Sequence, residues 1–429
     1  MEKHERQQII DLIRREVIPA IGCTEPIAVS LCTAKASEML GRTPENIEVY
    51  LSDNVLKNAM GVGIPGTGMI GLPIAIALGA LIGKSEYKLE VLKDITPQTL
   101  EAGKDMIANN AISISLKANC PDNLYIEVTC KSGKDWATAI IAHEHTNFVF
   151  LSKDGNILLK KEISCCAGDS NKCDTPQLSM RKVYDFAMET PVDEIRFILE
   201  SGQMNKAAAE QSFKGCYGHE LGKTLRNEAE RKILGNNVFA DILAYTSAAC
   251  DARMAGAMIP VMSNSGSGNQ GIAATLPVVV YAEENDKPEE DLIRALALSN
   301  LTVIYIKQSL GRLSALCGCV IAATGSSCGI TYLMGGCYER ICFAVKNMIA
   351  NLTGMICDGA KPSCAMKVSS GASTAVLSAM LAMEQKCVTS VEGIIDNDVD
   401  QSIRNLTKIG SEGMVQTDQL ILKIMTGKQ

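Results

Sequence analysis

A chain of 429 residues that is 47% hydrophobic but only 4% aromatic, with 35 glycines, has the length for two or three domains and a core of small and aliphatic side chains. Its formal charge of −7 argues against nucleic acid or an anionic membrane surface as a partner. Its 17 cysteines are odd in number and irregularly spaced behind a charged amphipathic opening, MEKHERQQIIDLIRREVIPAIG, which argues against a disulfide framework and a signal peptide and leads us to expect a reducing cytoplasm.

Residues 3–17 read as an amphipathic helix followed by Pro19. A second helix begins after Gly22-Cys23-Thr24-Glu25-Pro26 and runs to about Leu40, with Thr24 as its cap and Pro26 in its first turn. IEVYLS (47–52) is a short strand, 69–84 a buried helix, and 96–110 an amphipathic helix capped by Thr96. The texture then changes. AISISLKA, LYIEVTCK, DWATAIIAHE and TNFVFLSK alternate between the turn sequences NCPDN, SGK and KDGN, which predicts an antiparallel meander. After about 180 the helical period returns and persists. The expected fold class is α+β: a mostly helical body, 1–85 plus 179–429, interrupted by a β-rich α+β module at 86–178.

Residues 58–83, 254–282 and 313–338 carry no Asp, Glu, Lys or Arg, and each is long enough to span a bilayer. PGTG at 65–68, NSGSGNQG at 264–271 and TGSSCG at 324–329 break them. Such breaks suit helices buried in a soluble core with functional loops between them; a membrane transporter with broken helices is the rival.

Several constellations can carry chemistry. Cys23 precedes a helix N-terminus, where the dipole lowers a thiol pKa and makes a thiolate available as base, nucleophile or ligand; the bland alternative is a buried cysteine. Asp358, Gly359 and Pro362 make a loop between Cys357 and Cys364, so two thiols can converge on one cluster, with a third from Cys317 or Cys319. Three thiolates on a [4Fe–4S] cluster leave one iron open as a Lewis acid. Four ordinary buried cysteines are the alternative. The glycines of SNSGSGNQG (263–271) let backbone N–H groups approach an anion such as a substrate carboxylate, and Lys57-Asn58 followed by residues 61–71 is a second candidate of that kind. His143 and His145, two apart in a strand, would share one face as ligands or proton carriers, and His219 could reach a cleft.

Two motif fits fail. Gly66-Thr67-Gly68-Met69-Ile70-Gly71 has the dinucleotide spacing but no strand before it. Gly325-Ser326-Ser327-Cys328-Gly329 has the nucleophile-elbow spacing but no histidine after it.

Taken in order, GCTEP (22–26), KNAMGVGIPGTGMIG (57–71), HEHTN (143–147), SGSGNQG (265–271), the Cys-Gly-Cys region with Gly335-Gly336, and ICDGAKPSC (356–364) resemble the L-cysteine desulfidase family, related to the serine dehydratase alpha chain. The C-terminal part also resembles the iron–sulfur L-serine dehydratases, but with a shorter loop reading Cys-Asp-Gly. The resemblance implies an oxygen-sensitive [4Fe–4S] cluster held by Cys317, Cys357 and Cys364, with Cys319 as rival for the first place. It also implies β-elimination of L-cysteine to sulfide, ammonia and pyruvate without pyridoxal phosphate. In that reaction the open iron is the Lewis acid and Cys23 the base. Thr24, Asn58, His145, Ser265, Ser267 and Asn269 are then the expected substrate-binding residues. A small-molecule substrate, a possible homodimer, and no nucleic-acid or membrane partner are expected. An L-serine dehydratase is the nearest alternative, and a cluster-based redox sensor a more distant one.

Overall fold

In the computed structural model, which describes residues 1–162, 176–311 and 314–428, six strands form one mixed sheet. Their order is Ile112–Leu116, Asn46–Leu51, Tyr125–Ser132, Asp135–Ala142, Phe148–Lys153 and Asn156–Lys160. The expected meander holds for Tyr125–Ser132, Asp135–Ala142 and Phe148–Lys153, and Asn156–Lys160 extends it by a strand that was not expected. The first departs from it: Ile112–Leu116 runs parallel to Asn46–Leu51, with Ile47 opposite Ile112 and Leu51 opposite Leu116. A parallel neighbour needs a crossover, and the intervening chain supplies one that includes the helix Pro97–Ala108, begun by a capping box between Thr96 and Thr99. Residues 163–175, within the β-rich module expected at 86–178, lie outside the described residues, as does Leu313.

The helix Thr24–Leu40 packs on the sheet, and Leu72–Ile82 packs mainly against that helix. Ile27, Leu31, Ile74 and Leu78 pack with Ile47, Val49, Ile126, Val128 and Ile141 in one core. The module expected at 86–178 therefore shares its interior with residues ahead of it.

The remainder is helical. Val238–Met254, Gly268–Glu284, Glu289–Leu310, Gly318–Leu333, Tyr338–Leu352 and Cys364–Met383 form a bundle whose contacts depend on small residues. A Cβ on Gly325 would stand 2.5 Å from the Ser299 carbonyl, and one on Gly329 would stand 3.0 Å from that of Ala295. The TGSSCG stretch, expected as a break, is helix interior: Thr324 and Ser326 return their hydroxyls to the carbonyls of Val320 and Ala323 at 2.8 and 3.1 Å. Among the described residues no helix is long and apolar enough to cross a membrane.

One small element positions the site. Pro19–Ile21 pairs antiparallel with Pro260–Met262 in a two-stranded ribbon. Past it, Ser263 N donates to Ile18 O at 2.8 Å and Ser265 N to Glu16 O at 2.9 Å. The segment leading to Cys23 and the loop 265–271 are thus held side by side.

Candidate active site

Gly22 has φ +69°, and a Cβ there would lie 2.4 Å from the Pro65 ring; this left-handed turn delivers Cys23 to the N-cap of Thr24–Leu40. The cap is not Thr24, as expected. Thr24 is already helical, and its hydroxyl lies 3.0 Å from both Glu25 Oε2 and Gly266 O. Cys23 Sγ donates to Glu25 Oε2 at 3.0 Å and lies 3.9 Å from Asn58 O.

The expected depression of the Cys23 pKa is reversed. Burial, followed by the Glu25 charge, pushes the thiol well above its ordinary value, and Arg253 offsets only part of that. The helix dipole is outweighed by loss of water and by a carboxylate in contact.

The cluster cysteines come together by a short bridge. Leu316 and Ile356 pair antiparallel, with Cys317 N donating to Met355 O at 3.0 Å and Cys357 N to Ala315 O at 2.7 Å. Cys317 caps Gly318–Leu333, and Cys364 opens Cys364–Met383, so two helix N-termini face the thiols. Residues 358–363 form the expected loop. Asp358 holds it by pairing with Lys361 and Lys367; burial works against that carboxylate, but the two ammonium groups bring it down to about 2.

The four thiols differ. A hydrogen bond from Cys319, aided by Lys367 and Lys361, lowers Cys317 to about 7. Cys319 is raised by that same bond and by burial, and its sulfur also lies 3.1 Å from Met355 Sδ and 3.3 Å from Lys367 O. Burial pushes Cys357 up to about 11, and its Sγ lies 4.0 Å from Asn58 Oδ1. Cys364 is raised by burial and lies 3.7 Å from Gly359 O. Asn58 therefore touches Cys23 through its carbonyl and Cys357 through its side chain.

These groups line one cavity of about 110 Å³ with Glu25, Asn58, His145, Arg253, Ser265, Ser267, Asn269 and Lys367 in its wall. Every expected site residue except Thr24 lines it; Thr24 reaches the Gly266 carbonyl at its edge. The two histidines part company. The strand ends at Ala142, and His143 adopts φ +70°. His143 Nδ1 bonds Asp122 Oδ2 at 2.7 Å in a separate polar cleft, while His145 enters the site. The left-handed residue rotates the chain between them, which a strand would not. His219 does not line the cavity. The loop N–H groups of Ser265 and Ser267 are spent on Glu16 O and Asn264 O, not left for an anion.

Sequence reasoning missed Glu25 and Arg253. Both sit in quoted motifs or beside them, but only burial shows that a carboxylate and a guanidinium have been drawn into the same enclosed space. Among the described residues no three His, Cys, Asp or Glu side chains are gathered tightly enough for a single metal ion. The cavity instead offers thiols around its wall, cationic neighbours and helix N-termini, a donor set suited to an iron–sulfur cluster.

Fold and cavity define an α+β protein whose helical body gathers thiols from separated segments into an enclosed site. The chain belongs to the serine dehydratase alpha chain family, whose model matches residues 86–423, and that family is named for a lyase. It is 72% identical over 429 residues to a UPF0597 protein of Phocaeicola vulgatus, covering 100% of this chain and 99% of that one. A UPF0597 protein of Bacteroides fragilis is 71% identical over 428 residues, with 100% of each covered. One from Chromobacterium violaceum is 45% identical over 425 residues, with 98% of each covered.

Proposed function

We propose that this member of a lyase family eliminates sulfide from L-cysteine, yielding ammonia and pyruvate. The observation that carries the reading is the meeting of Cys317, Cys357 and Cys364 with Cys23 in one cavity. Cys317, Cys357 and Cys364 would hold a [4Fe–4S] cluster. With three protein thiolates such a cluster keeps one iron open, which supplies a Lewis acid for the leaving sulfur.

The chain's own residues supply the remaining chemistry. Cys23 gives its proton to Glu25, the carboxylate already accepting from its sulfur, and becomes the base. The substrate α-proton passes to Cys23 Sγ, the Cβ–S bond breaks with its electron pair leaving on sulfide, and aminoacrylate departs. Tautomerisation to the imine and hydrolysis by water then give ammonia and pyruvate. Asn58, His145, Ser265, Ser267 and Asn269 line the space and position the amino acid, and Thr24 holds Glu25 in place.

A second reading, L-serine dehydration in the same cavity, is favoured by the family's own name. The shortened Cys-Asp-Gly loop departs from the serine dehydratase pattern and weighs against that reading. Anaerobically purified protein is offered each amino acid in turn. Sulfide and pyruvate in equal amounts from cysteine support the desulfidase; pyruvate from serine with no sulfide from cysteine assigns the dehydratase instead.

A further inference from the structure

We propose that Arg253, beside Asn269 and over Gly268, is the receptor for the substrate's α-carboxylate. The proposal rests on the reading above that the substrate is an α-amino acid.

Arg253 is 3% exposed and lines the cavity. Its Nη1 donates to Asn269 Oδ1 at 3.0 Å, while its Nε is buried without a partner. Among the described residues no carboxylate pairs with it. Glu25 shares the cavity but forms no ion pair with it, so the buried guanidinium keeps the capacity to take an anion that arrives from outside. Nε is sealed against Gly268, so a carboxylate would be received by the terminal Nη nitrogens of the planar fork.

The seat is built for that head group. A Cβ on Gly268 would stand 2.2 Å from Arg253 Nε, so only glycine lets the guanidinium lie there. Asn269 is itself fixed, accepting from Cys250 Sγ at 3.4 Å and donating to Met254 Sδ at 3.3 Å. The Ser265 and Ser267 amides are already bonded and the cavity's Lys367 is held by Asp358, whereas Arg253 sits on the loop itself through Asn269. Arg253 and Cys23 line the same cavity, and Glu25 takes a hydrogen bond from the thiol. A carboxylate seated on Arg253 therefore brings the adjacent Cα towards Cys23.

The test uses anaerobic holoenzyme and two unreactive probes, L-alanine and L-alaninamide, which differ only at the carboxylate. Wild type should bind L-alanine about 10²-fold more tightly than the amide. R253Q should lose that discrimination and raise KM for cysteine by a similar factor, and R253K, which keeps charge without the fork, should fall between. If R253Q does not fold, G268A, which displaces the guanidinium without changing any charge, should give the same loss. Guanidinium ion added to R253A should restore part of the affinity. R253Q or G268A that still prefers L-alanine as wild type does would overturn the proposal, even with elimination intact. Conversely, Arg253-dependent discrimination in a protein that eliminates nothing would leave the receptor standing and sink the reaction.

Discussion

Cys23 Sγ and Glu25 Oε2 lie 3.0 Å apart at one helix start, and the Thr24 hydroxyl leans on the same oxygen. A thiol in contact with a buried carboxylate is an acid–base unit, not a free thiolate, and its two halves can be separated by mutation.

Glu25→Gln preserves shape but removes the proton acceptor. Turnover should fall roughly 10²–10⁴-fold with iron content unchanged. The thiol's own titration provides a second signature. The Glu25 charge is second only to burial in holding Cys23 high, so its removal favours the thiolate at lower pH. Alkylation of Cys23, followed by peptide mass spectrometry, should reach half-rate at a lower pH than in wild type. An unmoved midpoint would show that the carboxylate does not hold that proton in place.

Cys317 and Cys319 should respond oppositely. Cys317→Ser should strip iron and acid-labile sulfide from anaerobically prepared protein. Cys319→Ala, which removes only a donor to Cys317 and a contact with Met355 and Lys367 O, should retain both. Iron retained in the first variant and lost in the second would exchange their roles.

Asp251 makes stability depend on pH. Burial raises its carboxyl to about 6, against hydrogen bonds such as that from Gly222 N at 2.9 Å and the charge of His219. A carboxyl raised in the fold favours the folded state when protonated, so its contribution is fully present below the unfolded value and is lost as pH rises through about 6. Asp251→Asn should remove that loss. The difference in unfolding free energy between variant and wild type should grow by about 2–3 kcal/mol from pH 4 to 7. A flat difference would mean the group titrates normally.

Lys57 is 1% exposed and paired with Asp418. Asp418→Asn leaves a buried ammonium without its counter-charge and should cost about 3–5 kcal/mol, read as a lowered Tm. Lys57→Met added to it should recover most of the loss. If the double variant is no better than the single one, the pair is not the cause.

Much of this architecture was legible in the residues. Alternation at 124–153 marked strands because one face of each is buried, and Thr96 marked a helix start because its hydroxyl answers an orphan amide. The loop 358–363 and its flanking thiols were visible in Gly and Pro. Partner and direction were not. Nothing in ISISL says that it pairs parallel with Asn46–Leu51, since alternation records burial and not the neighbour. Helix position alone suggested a lowered Cys23; the adjacent Glu25 was in view, but its sign dominates only once both groups are buried. His143 and His145 separated because one residue turned left-handed, a single dihedral that spacing does not encode.

The ribbon of Pro19–Ile21 with Pro260–Met262 bears on how the molecule comes to be. Its closure continues into a contact between Ser263 and Ile18, 245 positions apart. Joining such distant segments exacts a loop-closure entropy that neighbouring hairpins and single helices do not. During refolding the chain can therefore regain most of its helical signal before Cys23 meets the loop 265–271. Catalytic competence should then return after most of the circular dichroism signal, and the two recovering in step would contradict that order.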